Sequence, residues 1–203
     1  KNELVKKLNN KEKTPCDGCP KLENKIWDNF KIKKISIEVH SKCNARCSYC
    51  SDIFYGGLNP IYKITEIIDE LKKESAFDDE VSLTWGGGEP VLMDKFDETF
   101  INLNERLNPG INIIYSNATK YSPAIEKYLS SGKALLTTSI DAGTIETFKK
   151  IRGIKGMKKV FENLEKYYNA AKKGIIIKYV LTEENSSENE LKNFIKLIIK
   201  NKL

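Results

Sequence analysis

The feature that most limits the folds open to this chain is its alternation of short β-branched runs with amphipathic stretches of helical period. Such alternation builds repeated βα units around a parallel sheet. The strand-like runs are Lys34–His40, Glu80–Trp85, Ile111–Asn117, Ala134–Asp141 and Gly174–Leu181. Between them Ile64, Ile67, Ile68 and Leu71 follow the spacing of one helix face, as do Met157, Val160, Phe161, Leu164, Tyr167 and Tyr168. Leu92, Phe96, Leu103 and Leu107 mark a further helical stretch, and Leu191, Phe194, Ile195 and Ile198 the last. Right-handed crossovers then give about five βα units.

A parallel strand covered by helices on both faces is apolar on both. The first strand instead alternates Ile35, Ile37 and Val39 with Ser36, Glu38 and His40. Thr137, Ser139 and Asp141 repeat the pattern, as do Ser82 and Thr84. Polar sets that all point inward predict a sheet curved around a polar ligand cavity. The alternative is a flat, doubly wound sheet.

At 203 residues the chain is long enough for one core. No apolar run approaches the roughly 18–20 residues needed to span a bilayer, so no membrane partner is expected. The net charge of +6 comes from lysines scattered among Asp and Glu, which does not suit a nucleic-acid partner. With no apolar leader at the start, the expected location is the cytoplasm, where five cysteines serve metals or clusters rather than disulfides. A first residue that is Lys rather than Met fits a piece of a longer protein. The expected organisation is an N-terminal segment, 1–33, carrying a CxxC pair, followed by an α/β domain over 34–203.

Directly after the first strand run comes Cys43-Asn44-Ala45-Arg46-Cys47-Ser48-Tyr49-Cys50, in a loop at a strand's carboxyl end, where α/β proteins place their sites. Structural zinc and ordinary [4Fe–4S] sites take four protein ligands, so three thiolates leave one metal position open. At the end of the second run stands Trp85-Gly86-Gly87-Gly88-Glu89-Pro90, whose glycines permit close backbone approach. Further on come Ser139-Ile140-Asp141-Ala142-Gly143-Thr144 and Ile151-Arg152-Gly153.

In this order, the CxxxCxxC loop with an aromatic residue before its last cysteine and the Gly-Gly-Glu turn resemble the radical S-adenosylmethionine (SAM) enzymes. The resemblance implies a (β/α)6 partial barrel, of which five units are recognisable here and the last strand is not. It implies that Cys43, Cys47 and Cys50 hold a [4Fe–4S] cluster whose open iron is chelated by SAM. Tyr49, Gly86, Gly87, Gly88, Glu89, Asn117, Ser139, Asp141 and Arg152 are by the same resemblance the SAM-binding positions, with Glu89 near the ammonium and Arg152 paired with the carboxylate. Asn117 stands in Ser116-Asn117-Ala118, which departs from the family's usual Thr-Asn-Gly turn.

The implied activity is reductive cleavage of SAM to a 5′-deoxyadenosyl radical, which abstracts hydrogen from a small-molecule or peptide substrate. The implied reductant is a flavodoxin or ferredoxin. Two other readings stand beside it: an iron–sulfur electron-transfer or regulatory module without SAM cleavage, and a zinc-stabilised α/β binding domain. The Gly86–Glu89 turn speaks against both, since neither needs a ligand-approach loop beside the cysteines. Cys16 and Cys19, in Pro15-Cys16-Asp17-Gly18-Cys19-Pro20, remain open between half of an auxiliary cluster or metal site completed from outside the chain, inert thiols and a redox dithiol.

Overall fold

The computed structural model describes residues 2–20, 30–51, 57 and 61–203. The chain divides into two units, Lys1–Phe30 and Lys31–Leu203. The first contains helix α1 (Asn2–Asn9) and, after it, the turns that carry Cys16 and Cys19.

The second unit alternates strands and helices: β1 (Ile32–Ile37), α2 (Ile64–Lys73), β2 (Phe77–Trp85), α3 (Phe96–Leu107), β3 (Ile111–Tyr115), α4 (Pro123–Ser130), β4 (Ala134–Ser139), α5 (Ile145–Arg152), α6 (Met157–Ala171), β5 (Ile175–Lys178) and α7 (Glu188–Lys200). The five strands form one sheet in the order β1-β2-β3-β4-β5, with every adjacent pair parallel. Each crossover thus moves one strand onward in one direction, and right-handed crossovers then place every helix on the same face. A doubly wound sheet needs a reversal of strand order, which is absent from the described strands. The fold is an α/β partial barrel.

One row of side chains runs across all five strands on the helix-covered face: Ile37, Trp85, Ile114, Leu136 and Ile175. Ile37, Trp85, Ile114 and Leu136 are buried against Ile68 of α2, Phe96, Phe100 and Leu103 of α3, Ile125 and Leu129 of α4 and Leu164 of α6. The Trp85 ring lies 5.0 Å from Phe100 and 5.6 Å from Phe96, and its Nε1–H donates to Asn112 Oδ1 at 3.1 Å. The opposite face mixes polar and apolar side chains, of which Thr84 and Thr137 are buried. Ser36 and Glu38 are exposed, Ser139 is half-buried beside Lys178, and Tyr115 and Ile176 flank Thr137 with 46% of each side chain's residue surface in solvent.

Four of the strand runs stop earlier at their carboxyl ends than the alternation predicts. β1 ends at Ile37, β3 at Tyr115, β4 at Ser139 and β5 at Lys178. The residues that continue the alternation, His40 and Asp141, are buried beyond the strands instead of facing the open side. Asp141 has φ +60°, which ends the extended backbone there. Two short helices of the second unit escaped the periodicity. α4 starts at the N-cap Ser122, whose Oγ accepts from Ile125 N with Pro123 following, and α5 at Thr144, whose hydroxyl accepts from Thr147 N.

Candidate functional site

The loop 43–50 lies past the carboxyl end of β1; the segments that follow β3 and β4 hold it, and the one that follows β2 holds the backbone leading into it. The Gly-Gly-Glu turn runs alongside residues 37–42 through backbone bonds: Gly86 N to Ile37 O at 3.2 Å, Gly88 N to His40 O at 3.4 Å and Glu89 N to Lys42 O at 2.7 Å. Gly87 has φ +88°, and a Cβ at Gly88 would lie 2.2 Å from Lys42 O. The protein's own backbone therefore requires Gly88. Gly86 faces open space, with Tyr115 Cδ2 the nearest atom at 3.9 Å from a built Cβ.

From the β3 end, Asn117 Nδ2 donates to Asn44 Oδ1 at 2.7 Å and lies 3.9 Å from Cys43 Sγ, which also accepts from Ala45 N at 3.4 Å. From α5, the carbonyls of Ile151 and Arg152, which lack helical partners, accept from Ser48 N at 2.8 Å and Arg46 N at 2.9 Å. Gly153, at φ +66°, permits this approach, because a Cβ there would be 2.5 Å from Arg46 O.

Glu89 is 2% exposed, and its carboxylate ties the turn to the β3 end. Oε1 accepts from Ser116 Oγ at 2.7 Å and Val91 N at 3.3 Å, and Oε2 from Asn117 N at 2.6 Å. A carboxylate has about four acceptor positions, so one on Oε2 is left. Burial pushes the Glu89 pKa above the usual carboxylate value, against the pull of those donors and of Arg152.

Asp141 and Arg152 face each other. The guanidinium Nη1 donates to Asp141 Oδ2 at 3.0 Å and to Tyr49 Oη, and Tyr49 Oη–H donates to the same carboxylate oxygen at 2.5 Å. Asp141 Oδ1 accepts from Val180 N at 2.7 Å. Burial and the neighbouring Asp141 charge raise the Tyr49 pKa, so the phenol stays protonated and donates. Burial opposes the Arg152 charge, but Cys47, Tyr49 and Asp141 outweigh it and hold the pKa above its ordinary value. Arg152 Nε is buried without a partner. Within the chain the guanidinium is bound through Nη1 to Asp141 and to the aromatic residue of the cysteine loop.

Cys47 is buried, and Cys43 and Cys50 are half-buried. Burial raises the pKa of Cys43 and Cys47, and the mutual repulsion of the grouped thiolates, Cys50 included, acts in the same direction. The nearby Arg152 charge lowers both and favours the thiolate form a metal needs. Three grouped thiols, N–H donors on Cys43 Sγ and the Arg152 charge fit an iron–sulfur cluster with three protein ligands. Among the described residues no three His, Cys, Asp or Glu side chains form a site for a single metal ion.

His40 is outside this constellation. Its Nδ1 accepts from Lys42 N at 2.9 Å, and Nε2 is buried without a partner. Burial lowers its pKa, so it is neutral at neutral pH. It lines a cavity of about 440 Å³ with Lys42, Tyr62, Lys63 and Leu92.

A sequentially wound parallel sheet with a clamped cysteine loop at its carboxyl ends defines a barrel-type α/β protein organised around a cofactor site. Residues 37–198 match the family model of the Radical SAM superfamily, and the chain belongs to that superfamily. Membership implies a [4Fe–4S] cluster and SAM. The chain is 25% identical over 170 residues to a GTP 3′,8-cyclase of Clostridium botulinum, covering 82% of this chain and 53% of the cyclase. It is also 25% identical over 135 residues to a probable GTP 3′,8-cyclase of Methanocaldococcus jannaschii, covering 66% and 45%. It thus spans about half the length of these relatives. In fold it is similar to Streptococcus suis SuiB bound to S-adenosylmethionine (TM-score 0.64, 20% identity, 85% of this chain and 39% of that one). It is likewise similar to anSMEcpe with bound AdoMet (TM-score 0.64, 23% identity, 83% and 49%). No helix among the described residues is long and apolar enough to cross a membrane.

Proposed function

We propose that this chain is the cluster- and SAM-binding core of a radical SAM enzyme, with Cys43, Cys47 and Cys50 as the cluster ligands. The observation that carries the reading is the clamped loop: the turn after β2 bonds to the backbone that leads into Cys43, Asn117 after β3 holds the Asn44 side chain, and the α5 carbonyls hold Arg46 N and Ser48 N between the cysteines. When bound, the reduced cluster supplies an electron that cleaves SAM to a 5′-deoxyadenosyl radical, which takes a hydrogen atom from substrate.

This chain's residues bind, orient and exclude. The free acceptor position on Glu89 Oε2 suits the SAM ammonium, and the bare backbone of Gly86 and Gly87 lets the methionine portion approach. Asn117 steadies Asn44 and Cys43, and Ser139 lies on the open face where ribose or carboxylate would rest. Asp141 and Arg152 act one step away, holding Tyr49 so that its ring flanks the ligand. Burial of Cys47 and Ala45 shields this side of the site from water.

SuiB has been crystallised with its precursor peptide SuiA, and the sequence relatives are GTP cyclases. The open face includes two strand lysines, Lys34 and Lys178, against Glu38 just past β1. That near-neutral surface, with Tyr115 and Ile176 exposed, suits a peptide better than a nucleoside triphosphate. The reductant is a flavodoxin or ferredoxin, and the compartment a reducing cytoplasm. Changing Cys47 to Ala removes a ligand, and reductive formation of 5′-deoxyadenosine from SAM is expected to cease. Wild-type formation in the reconstituted, reduced variant would overturn the reading.

A further inference from the structure

The described part of the N-terminal unit before residue 21 has almost no core of its own. Among its described residues only Thr14 is buried, whereas Leu4 and Val5 of α1 are 38% and 50% exposed. Units of fewer than about 40 residues usually need a disulfide, a metal or a partner chain to hold together. The cysteine turn, by contrast, is tightly built. Asp17 accepts from Thr14 N at 3.1 Å and Thr14 Oγ1 at 3.2 Å, Thr14 Oγ1 accepts from Cys16 N at 3.2 Å, and Cys19 N donates to Cys16 O at 3.0 Å. That last bond closes a β-turn, which keeps the two cysteine Cα atoms within about 7 Å. Both thiols are free, and Cys19 is exposed.

Two thiolates separated by two residues are half of a tetrahedral four-thiolate site. This chain's other soft donors belong to the second unit. Cys43, Cys47 and Cys50 are committed by the reading above, on which this step rests, and His40 is buried with Nδ1 already accepting. We infer that Cys16 and Cys19 bind one zinc ion together with the same pair of a second copy, making a two-fold dimer through the N-terminal units. The site is then self-complementary, as two-fold contacts must be. Each chain's two thiols lose their protons to solvent and the ion's oxidation state does not change; Lys11 and Lys13 are matched by Glu12 and Asp17, so the four-thiolate site keeps its own net negative charge. The association also offers Leu4 and Val5 a surface to pack on.

Zinc sulfate titrated into the anaerobic full chain with its cluster site filled, after chelator treatment, tests this. Bound zinc should saturate at half an atom per chain, and light scattering should report a doubling of mass. Both should be lost in the Cys16→Ser, Cys19→Ser double variant. A Cys43→Ala, Cys47→Ala, Cys50→Ala variant should still bind half an atom and dimerise, so failure of the cluster reading appears in iron content and leaves the zinc result untouched. One zinc per monomer, no zinc bound, or a dimer that survives the double variant would overturn the inference. So would iron above the content of one cluster that falls in the double variant, since the pair would then hold a cluster.

Discussion

Gly88→Ala tests whether the Gly-Gly-Glu turn works by holding the cysteine loop. A Cβ at Gly88 would stand 2.2 Å from Lys42 O and 2.8 Å from both Lys42 C and Ser41 C, all backbone atoms without a side chain's freedom to swing away. To restore ordinary contact the 41–42 segment must withdraw by more than an ångström, and with it goes the bond from Glu89 N to Lys42 O at 2.7 Å. Overpacking of this kind costs about 1–3 kcal/mol, and the lost backbone bond adds about 1 kcal/mol. The expected destabilisation is therefore about 2–4 kcal/mol, read from the denaturant midpoint of the metal-free chain at constant slope. Because Lys42 precedes Cys43, iron retained after reconstitution should fall as well. Gly86→Ala is the control. Its added Cβ meets only Tyr115 Cδ2, at 3.9 Å, so stability and iron content should stay near wild type. A Gly88→Ala chain with wild-type midpoint and iron would refute the reasoning.

Tyr49→Phe keeps the ring but removes the hydrogen-bonded hydroxyl between Arg152 and Asp141. A loss of about 1.5–3 kcal/mol in the unfolding free energy is expected from this charge-assisted bond, and an unchanged midpoint would contradict it. Asp141→Asn leaves the Arg152 charge buried without its carboxylate, which should cost about 3–5 kcal/mol. Circular dichroism melts would show it, and a variant as stable as the parent would mean that the pair contributes nothing. Glu190 of α7 accepts from Gly143 N, Thr144 Oγ1 and Thr147 Oγ1, and these bonds outweigh burial to lower its pKa. A lowered folded pKa means the stabilisation is complete above the ordinary value of 4.5 and disappears as pH falls through the folded value. Glu190→Gln should thus destabilise by about 1.5–3 kcal/mol at pH 7, with the gap to wild type narrowing under acid. A pH-independent gap would argue against a role for the charge.

The strands were legible because β-branched runs bounded by turn residues leave few other conformations; of the polar alternation, Ser36 and Glu38 are exposed, whereas Thr84 and Thr137 are buried. The strands' carboxyl ends were not legible. Alternation continues through Glu38–His40 and Ser139–Asp141, and only the left-handed φ of Asp141, which a sequence does not display, stops the second of these runs. The helices α4 and α5 have eight residues each, too few for periodicity to speak. Their start signals were present in Ser122-Pro123 and in Thr144.

At the site, several of the residues the motifs single out have partners within the chain itself. A glycine needed for close approach looks the same in sequence whether the approaching group is a ligand or another stretch of chain. Gly88 and Gly153 both answer to chain: one admits the backbone before Cys43, the other the backbone after Ala45. Asp141 and Arg152 follow the same logic, since a buried carboxylate and a buried guanidinium each need a counter-charge and here find one another. Motif residues far apart in sequence therefore converge on one mechanical task, holding the cysteine loop and the backbone that leads into it from three strand ends. A three-cysteine loop without that scaffold would leave its sulfurs free to move, and pre-organisation of ligands is what distinguishes a cofactor site from a chance cluster of cysteines.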